Sequence, residues 1–474
     1  MPWLVWSNAT KAYDRQRAGG GVVVLKTTRA RGTAPGHNAR AAHKNRTQQK
    51  GESVTTGFTI GTRLDARVGD LTGRPLGRTG VIHTPHGDIA TPAFIPVGTK
   101  ATVKTLTPEQ VRGIGAQAVL ANAYHLYLQP GPEILDAAGG LSAFMNWNGP
   151  TYTDSGGFQV LSLGSGFKKV LSNEYAGKNA GRADTELARD KERLANVDDD
   201  GVWFRSHLNG SRHRFTPEVS MGIQHQLGAD IMFAFDELTT LLNSRAYQEK
   251  SLERTRRWAE RCLAEHRRLT IERAGKPYQQ LFGVIQGAQY EDLRRKAARD
   301  LGSMCVDGQE FDGFGIGGAL EKEKLGTICA WVSEELPETK ARHLLGISEP
   351  DDFFAAIEAG ADTFDCVNPS RVARNAAIYS PDGRFNVTRA QFRTDFGPLV
   401  PDCECYTCQN YSRAYLNHLF KAKEALAATL ATIHNEYFTV HLVDTIRAAI
   451  ESGDYAACKE ETLGRFYRGQ WGRA

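Results

Sequence analysis

The sequence contains no long hydrophobic run. Its apolar stretches have the length of a β-strand, whereas a membrane-spanning helix needs about 20 consecutive apolar residues. The 474 residues are 41% hydrophobic and 24% charged, which is typical of a globular protein. We therefore expect a cytoplasmic protein without a membrane-spanning segment.

Cysteine is also scarce, with eight in the whole chain. Five are scattered through apolar surroundings: Cys262, Cys305, Cys329, Cys366 and Cys458. Such spacing does not suggest a disulfide framework and favours reduced thiols, as in cytosolic proteins. The other three lie close together and need a separate explanation.

Acidic residues are nearly absent from the first 60 positions, where ten Lys and Arg stand against only Asp14 and Glu52. This segment carries a net charge of +8, so the rest of the chain carries −4 of the total of +4. Nucleic-acid binding by the rest would therefore need a local basic patch. Residues 1–57 also lack periodicity, which predicts a disordered basic tail.

From Phe58 onward, short apolar runs alternate with helix-like stretches. The eight runs are residues 92–97, 118–123, 151–153, 231–235, 281–285, 313–316, 343–347 and 363–367. Helix-like stretches include 108–114, 217–227, 245–268, 291–302 and 325–335. This alternation indicates an α/β fold with a parallel sheet, and eight units favour a closed (β/α)8 TIM barrel. We expect the barrel to span residues 58–400, with an insertion at 164–200.

Polar residues or glycines follow several of these runs: Asp154, Asp236, Gln286, Gly317 with Gly318, and Asp365 near the end of the eighth. Active sites of such barrels form at the carboxyl ends of the strands, so these residues should converge on one mouth. Arg371 and Arg374 come shortly after Asp365, and we expect them to keep its carboxylate ionised.

A second cluster follows the barrel, with Cys403, Cys405 and Cys408 inside six residues. A tetrahedral zinc needs a fourth ligand, for which the downstream candidates are His418, His434 and His441. We favour His434, because a helix over residues 413–433 could return it to the cysteines. A closed, thiolate-rich site is structural, so we expect one structural Zn²⁺ in an inserted subdomain at 401–440. Helices at 441–474 would then pack back on the barrel.

Paired carboxylates at a barrel mouth suit cleavage of a bond to an anomeric carbon, where one attacks and the other moves a proton. Asp365 fits the attacking role. The small residues after Asp154 would let a planar ring lie close to the backbone. The residues expected to bind such a base are Asp154, Ser155, Gly156, Gly157, Phe158, Asp236, Gln286 and Gly318. The residues alone thus predict nucleobase recognition and glycosidic-bond chemistry.

Several longer motifs carry a family resemblance. They are Thr-Asp-Ser-Gly-Gly-Phe-Gln at 153–159, Ser-His-Leu-Asn-Gly-Ser-Arg-His at 206–213, Phe-Asp-Glu at 235–237, Leu-Gly-Ile-Ser-Glu-Pro-Asp-Asp at 345–352, the Asp365 stretch and the cysteine cluster with His434. In this order they resemble the tRNA-guanine transglycosylase (queuine tRNA-ribosyltransferase) family, bacterial type, from about residue 58 to the C-terminus.

The resemblance implies exchange of the wobble guanine of tRNAs with a G-U-N anticodon for a free 7-deazaguanine base. Asp365 would form a covalent intermediate with the ribose, and Asp154 would act as acid and base. Two segments, named here the RNA loops, would grip the anticodon: Gly346, Ile347, Ser348, Glu349, Pro350, Asp351 and Asp352, and Ser370, Arg371, Val372, Ala373 and Arg374. A homodimer is implied as well.

Two departures from the family pattern flank the base pocket. Leu238 stands where many bacterial members carry Cys, and residues 319–322 read Ala-Leu-Glu-Lys instead of a Leu-Ser-Val-like run. The incoming base could therefore be 7-aminomethyl-7-deazaguanine, queuine or another deazaguanine. Two alternatives stay open: the same chemistry on another nucleic acid, and a non-catalytic tRNA-binding subunit.

Overall fold

The computed structural model describes residues 56–65, 72–157, 195–241, 243–318 and 320–469. These residues belong to a compact unit that extends from Ser53 to Ala474. The predicted basic tail at 1–57 and the predicted insertion at 164–200 lie almost wholly outside the described residues, and so does Phe158.

The strands of the described residues are, in chain order, β1 (Gly57–Arg63), β2 (Arg78–Thr84), β3 (Gly87–Thr91), β4 (Ala93–Pro96), β5 (Val119–Ala121), β6 (Thr151–Thr153), β7 (Ala195–Val197), β8 (Val202–Arg205), β9 (Arg212–Phe215), β10 (Ile231–Phe233), β11 (Gln280–Ile285), β12 (Cys305–Val306), β13 (Gln309–Glu310), β14 (Gly313–Ile316), β15 (Ala341–Leu344), β16 (Thr363–Cys366), β17 (Ala377–Ser380) and β18 (Gly383–Asn386).

The α-helices are α1 (Pro108–Gly113), α2 (Ala123–Leu128), α3 (Pro132–Ala137), α4 (Leu141–Phe144), α5 (Pro217–Leu227), α6 (Arg245–Glu272), α7 (Glu291–Gly302), α8 (Leu325–Glu335), α9 (Pro350–Glu358), α10 (Asn368–Ala373), α11 (Tyr406–Asn410), α12 (Arg413–Ala422), α13 (Ala425–Ser452) and α14 (Tyr455–Arg468). None of them is both long and apolar enough to cross a membrane.

Eight parallel strands form one sheet in the order β4-β16-β15-β14-β11-β10-β6-β5. Its two edge strands meet through a parallel bridge between Val97 and Leu120, where the Gly98 N–H donates to the Leu120 carbonyl over 2.7 Å. The sheet therefore closes on itself, which confirms the predicted (β/α)8 barrel. Each of the eight predicted apolar runs contains or overlaps one of these strands.

Aromatic rings fill the barrel interior. The ring centroids of Tyr152 and His343 are 5.5 Å apart, and those of Phe233 and His343 are 5.2 Å apart. Tyr152 lies on β6 and His343 on β15, which stand on opposite sides of the barrel order, so this contact crosses the interior. The interior is thus a packed layer that forms a floor beneath the mouth.

Local signals set the helix ends. The Thr216 side chain caps α5 by accepting from the Val219 N–H, Pro217 begins the helix and Gly228 ends it in the left-handed conformation. Helices α5, α7 and α8 have the predicted bounds, and α6 runs four residues further than the predicted 245–268.

Three features differ from the expectations. Antiparallel sheets β1-β2-β3 and β7-β8-β9 and the hairpin β17-β18 accompany the barrel, and the strand prediction did not include them. Residues 413–433, which we expected to form one helix, belong to two helices, α12 and α13. Lys423 ends α12 with φ 60°, and Glu424 is the N-cap of α13. His434 consequently lies inside α13 and not at the end of a helix.

Candidate active site and metal centre

Asp365 lies near the carboxyl end of β16, beside Ile95 of β4. Its side chain is 14% exposed, and its Oδ1 atom accepts from Nε2 of His343 at 3.1 Å and from the Gly346 N–H at 3.2 Å. From the sequence we expected Arg371 and Arg374 to keep this carboxylate ionised. Within the described residues, however, no ion pair joins either arginine to Asp365. The carboxylate is instead oriented by the neighbouring strand β15 and the loop after it.

Asp154 follows β6 directly and is held by backbone and amide donors. Its Oδ1 atom accepts from the Ala123 N–H at 2.8 Å and the Gly156 N–H at 3.2 Å, and its Oδ2 atom accepts from the Asn122 amide. Asn122 also caps α2. These three N–H donors hold both oxygens of the Asp154 carboxylate in place.

Asp236 and Gln286 form the polar wall of the pocket. The Gln286 amide donates to Oδ2 of Asp236 at 2.7 Å, and the Ser155 hydroxyl donates to Oδ1 at 3.3 Å. Burial raises the pKa of Asp236 to about 6, although these hydrogen bonds lower it. The neighbouring Glu237 faces away from the site and pairs with Arg254 of α6, which fixes the loop.

Glycines keep the pocket open between these side chains. A Cβ atom on Gly157 would lie 3.0 Å from the Asp236 carbonyl, and one on Gly318 would lie 2.5 Å from Oε1 of Gln286. Gly318 also has φ 91°, which favours glycine. Oε1 of Gln286 is buried and has no hydrogen-bond partner in the described part of the chain, so it faces space that a ligand could fill.

The structure also assigns roles to residues that the sequence analysis missed. Arg294 of α7 is fully buried and donates to the carbonyls of Ile285, Ala288 and Gly317 at 2.8–2.9 Å, which ties the ends of β11 and β14 together. Burial lowers its pKa to about 10. His343 and Asn122 each hold one of the two predicted catalytic carboxylates. Of the predicted residues, Ser155, Asp236 and Gln286 are joined by hydrogen bonds, Gly318 lies against the Gln286 side chain, and Asp154 directly precedes Ser155.

The RNA loops lie beside Asp365 but are unevenly exposed. Five of their members are buried in this structure: Ile347, Ser348, Pro350, Ser370 and Ala373. Gly346 and Arg371 are exposed, and the remaining members are half-buried. Burial raises the pKa of Asp352 to about 6, and Lys322 lies 3.4 Å from its carboxylate.

The cysteine cluster converges on one nitrogen. Nδ1 of His434 lies 3.6 Å, 3.4 Å and 3.3 Å from the sulfurs of Cys403, Cys405 and Cys408, and all four ligand atoms lie within 4.8 Å of one another. Nε2 of His434 donates to the Tyr379 carbonyl at 2.7 Å, which leaves the Nδ1 lone pair for a metal ion. A tetrahedral zinc with ordinary bond lengths needs sulfur–nitrogen separations of about 3.6 Å, so the site fits a metal ion.

Comparisons with known proteins agree with this architecture. The family model described as Queuine tRNA-ribosyltransferase matches residues 73–468. The proteins named queuine tRNA-ribosyltransferase of Thermoanaerobacter pseudethanolicus and Geobacillus kaustophilus are 44% and 43% identical over 393 and 388 residues, which cover 83% and 81% of this chain and 95% and 91% of those proteins. That of Streptococcus suis is 43% identical over 400 residues, 84% of this chain and 94% of that protein. The chain therefore belongs to the queuine tRNA-ribosyltransferase family, a family of pentosyltransferases.

Proposed function

We propose that this protein exchanges the wobble guanine of tRNAs with a G-U-N anticodon for a 7-deazaguanine base, in the queuosine modification of tRNA. One observation carries the proposal: hydrogen bonds join Ser155, Asp236 and Gln286, directly beside Asp154, at the same end of the barrel as Asp365. The relatives that are 44% and 43% identical over most of this chain bear the name of that activity.

The exchange takes two displacements at the ribose C1′ atom. An oxygen of Asp365 forms a bond to C1′ while the bond from C1′ to guanine breaks, and guanine leaves with the electron pair and takes up a proton. The incoming base then gives up a proton and displaces Asp365. Asp154 gives the departing guanine its proton and, as the carboxylate that remains, takes the proton of the incoming base, while its three N–H donors hold it in place.

Replacing the nucleophile tests the proposal most directly. Asp365→Asn should abolish incorporation of labelled guanine into a G-U-N tRNA, because an amide cannot form the ester intermediate, while tRNA binding persists. Asp382→Asn is the matched control, since its carboxylate lies in the β17-β18 hairpin and pairs with Arg465. Incorporation by Asp365→Asn at the wild-type rate would contradict the role. Binding without incorporation in the wild type would favour the non-catalytic subunit, and incorporation only into another nucleic acid would favour the other alternative.

The identity of the incoming base rests on the two departures from the family pattern. Leu238 lies two residues after Asp236 and packs partly buried against the core. We expect queuine or another deazaguanine to compete with 7-aminomethyl-7-deazaguanine as substrate, and Leu238→Cys to shift the ratio of their kcat/KM values towards the aminomethyl base. Exclusive use of the aminomethyl base by the wild type would rule this out.

The pKa of Asp236 predicts how base binding varies with pH. A guanine-type base presents N–H donors that need an ionised acceptor, and about half of Asp236 is protonated near pH 6. The Kd for the free base, measured by calorimetry, should therefore rise about tenfold per pH unit below pH 6 and level off above pH 7. Asp236→Asn should bind weakly at every pH, and Asp365→Asn should keep the wild-type profile. A flat wild-type profile between pH 5 and 8 would contradict the assignment.

We also infer that the metal ion is Zn²⁺ with a structural role, because three thiolates and an imidazole are typical ligands of closed zinc sites. Metal analysis should find one zinc per chain, and Cys405→Ser should lose it and unfold at a lower temperature than the wild type. Cys458→Ser, which alters a half-buried cysteine outside the cluster, should keep the zinc. Loss of zinc with unchanged thermal stability would refute the structural role.

A homodimer and a cytoplasmic location stay predictions. The segment that carries the metal ligands exposes Phe396, Tyr406 and Tyr415, which are 81%, 55% and 39% exposed, and Tyr411 stacks on Tyr415. An exposed aromatic surface of this kind is available for burial against a second copy.

A further inference from the structure

His343 is the one side chain among the described residues whose hydrogen bond reaches the carboxylate of Asp365. It lies on β15, is fully buried, and uses both of its ring nitrogens. Nδ1 is 2.8 Å from the Thr363 hydroxyl and Nε2 is 3.1 Å from Oδ1 of Asp365. Thr363 and Asp365 point to the same side of β16, two residues apart, so the imidazole bridges them along the strand.

The chemistry of the partners fixes the tautomer. An ionised carboxylate can only accept, so Nε2 of His343 carries the hydrogen and donates it to Asp365. The Thr363 hydroxyl occupies Nδ1, and the buried rings of Tyr152 and Phe233 pack on the imidazole.

The two oxygens of Asp365 are consequently unequal. Oδ1 accepts from both His343 and the Gly346 N–H, whereas Oδ2 accepts no hydrogen bond from the described part of the chain. A nucleophilic oxygen needs an available lone pair directed at the substrate. The two donors therefore occupy Oδ1, and Oδ2 remains available to a substrate at the mouth of the barrel.

We propose that His343 is a positioning residue that selects Oδ2 of Asp365 as the attacking atom and stabilises the carboxylate when it leaves. The proposal rests on the nucleophilic role of Asp365 proposed above. A lone pair of Oδ2 forms the bond to C1′ as the pair of the glycosidic bond departs with guanine, and Oδ1 becomes the carbonyl oxygen of the ester. No proton leaves His343.

The same two donors act in the second displacement. When the incoming base attacks C1′, the pair of the C1′–Oδ2 bond returns to Asp365 and negative charge spreads back over both oxygens. The His343 and Gly346 N–H groups already point at Oδ1, so they stabilise that charge without rearrangement. His343 therefore acts by orienting the carboxylate in the first displacement and by stabilising its returning charge in the second, without touching the base or the tRNA.

Two substitutions separate this role from simple packing. His343→Phe keeps a ring in the aromatic layer but removes the donor, and kcat for guanine exchange should fall about 10- to 100-fold, the usual effect of losing a hydrogen bond to a charged group, with KM for tRNA unchanged. His343→Gln places an amide N–H near the position of Nε2, so it should recover most of kcat. Phe233→Leu disturbs the same layer without touching Asp365 and should lower thermal stability but not kcat.

The experiment distinguishes failure of the His343 role from failure of the proposed function. Asp365→Asn is assayed in parallel: if it still exchanges guanine, the nucleophile itself is misassigned. If Asp365→Asn is inactive but His343→Phe retains wild-type kcat, only the positioning role is wrong. His343→Gln as slow as His343→Phe would also overturn it, because the lost hydrogen bond would then not explain the defect.

Discussion

The position of β16 in the barrel depends on a buried ion pair at the start of that strand. Asp362, fully buried, accepts from Nε and Nη2 of Arg78 at 2.9 Å each and from the Arg342 N–H at 2.8 Å. Its carbonyl accepts from the N–H of Ala93, the first residue of β4, and its N–H donates to the Arg342 carbonyl in β15. Removing one partner of such a pair typically costs about 3–5 kcal/mol, and a slip of one residue would turn every side chain of the strand to its opposite face. Asp365 reaches the mouth because Asp362 is fixed three residues earlier.

The other predicted site residues are positioned in a similar way. Each is held by a residue of a neighbouring strand or helix. Asp154, after β6, is held by the first turn of α2. Asp236, after β10, is held by Gln286 after β11, and Asp365 on β16 is held by His343 of β15. Arg294 joins β11 to β14 from outside the barrel. The pocket is therefore rigid because barrel closure fixes the strands relative to one another, and small errors of register would separate its donors from its acceptors.

The sequence predicted the parts of this structure that local patterns encode. A parallel strand buried on both faces appears as a short apolar run, so all eight barrel strands were found. Asp154, Asp236 and Gln286 were predicted as site residues because each directly follows such a run. His343 was missed because it lies inside an apolar run and counted as strand, and Arg294 because its three carbonyl partners are visible only once α7 packs on the barrel. Asn122 could have been found, since it too lies at the end of a run.

Contacts link the metal centre to the RNA loops and explain why its role should be structural. His434 donates to the Tyr379 carbonyl, and Asn435 accepts from the Tyr379 N–H at 3.1 Å and donates to the Pro369 carbonyl at 3.2 Å. The Tyr379 hydroxyl in turn accepts from Asn368 at 3.1 Å. Asp365 is held from the other side, by β15. We therefore expect loosening of the cluster to disturb α10 and the proposed RNA loops before it reaches the carboxylate of Asp365.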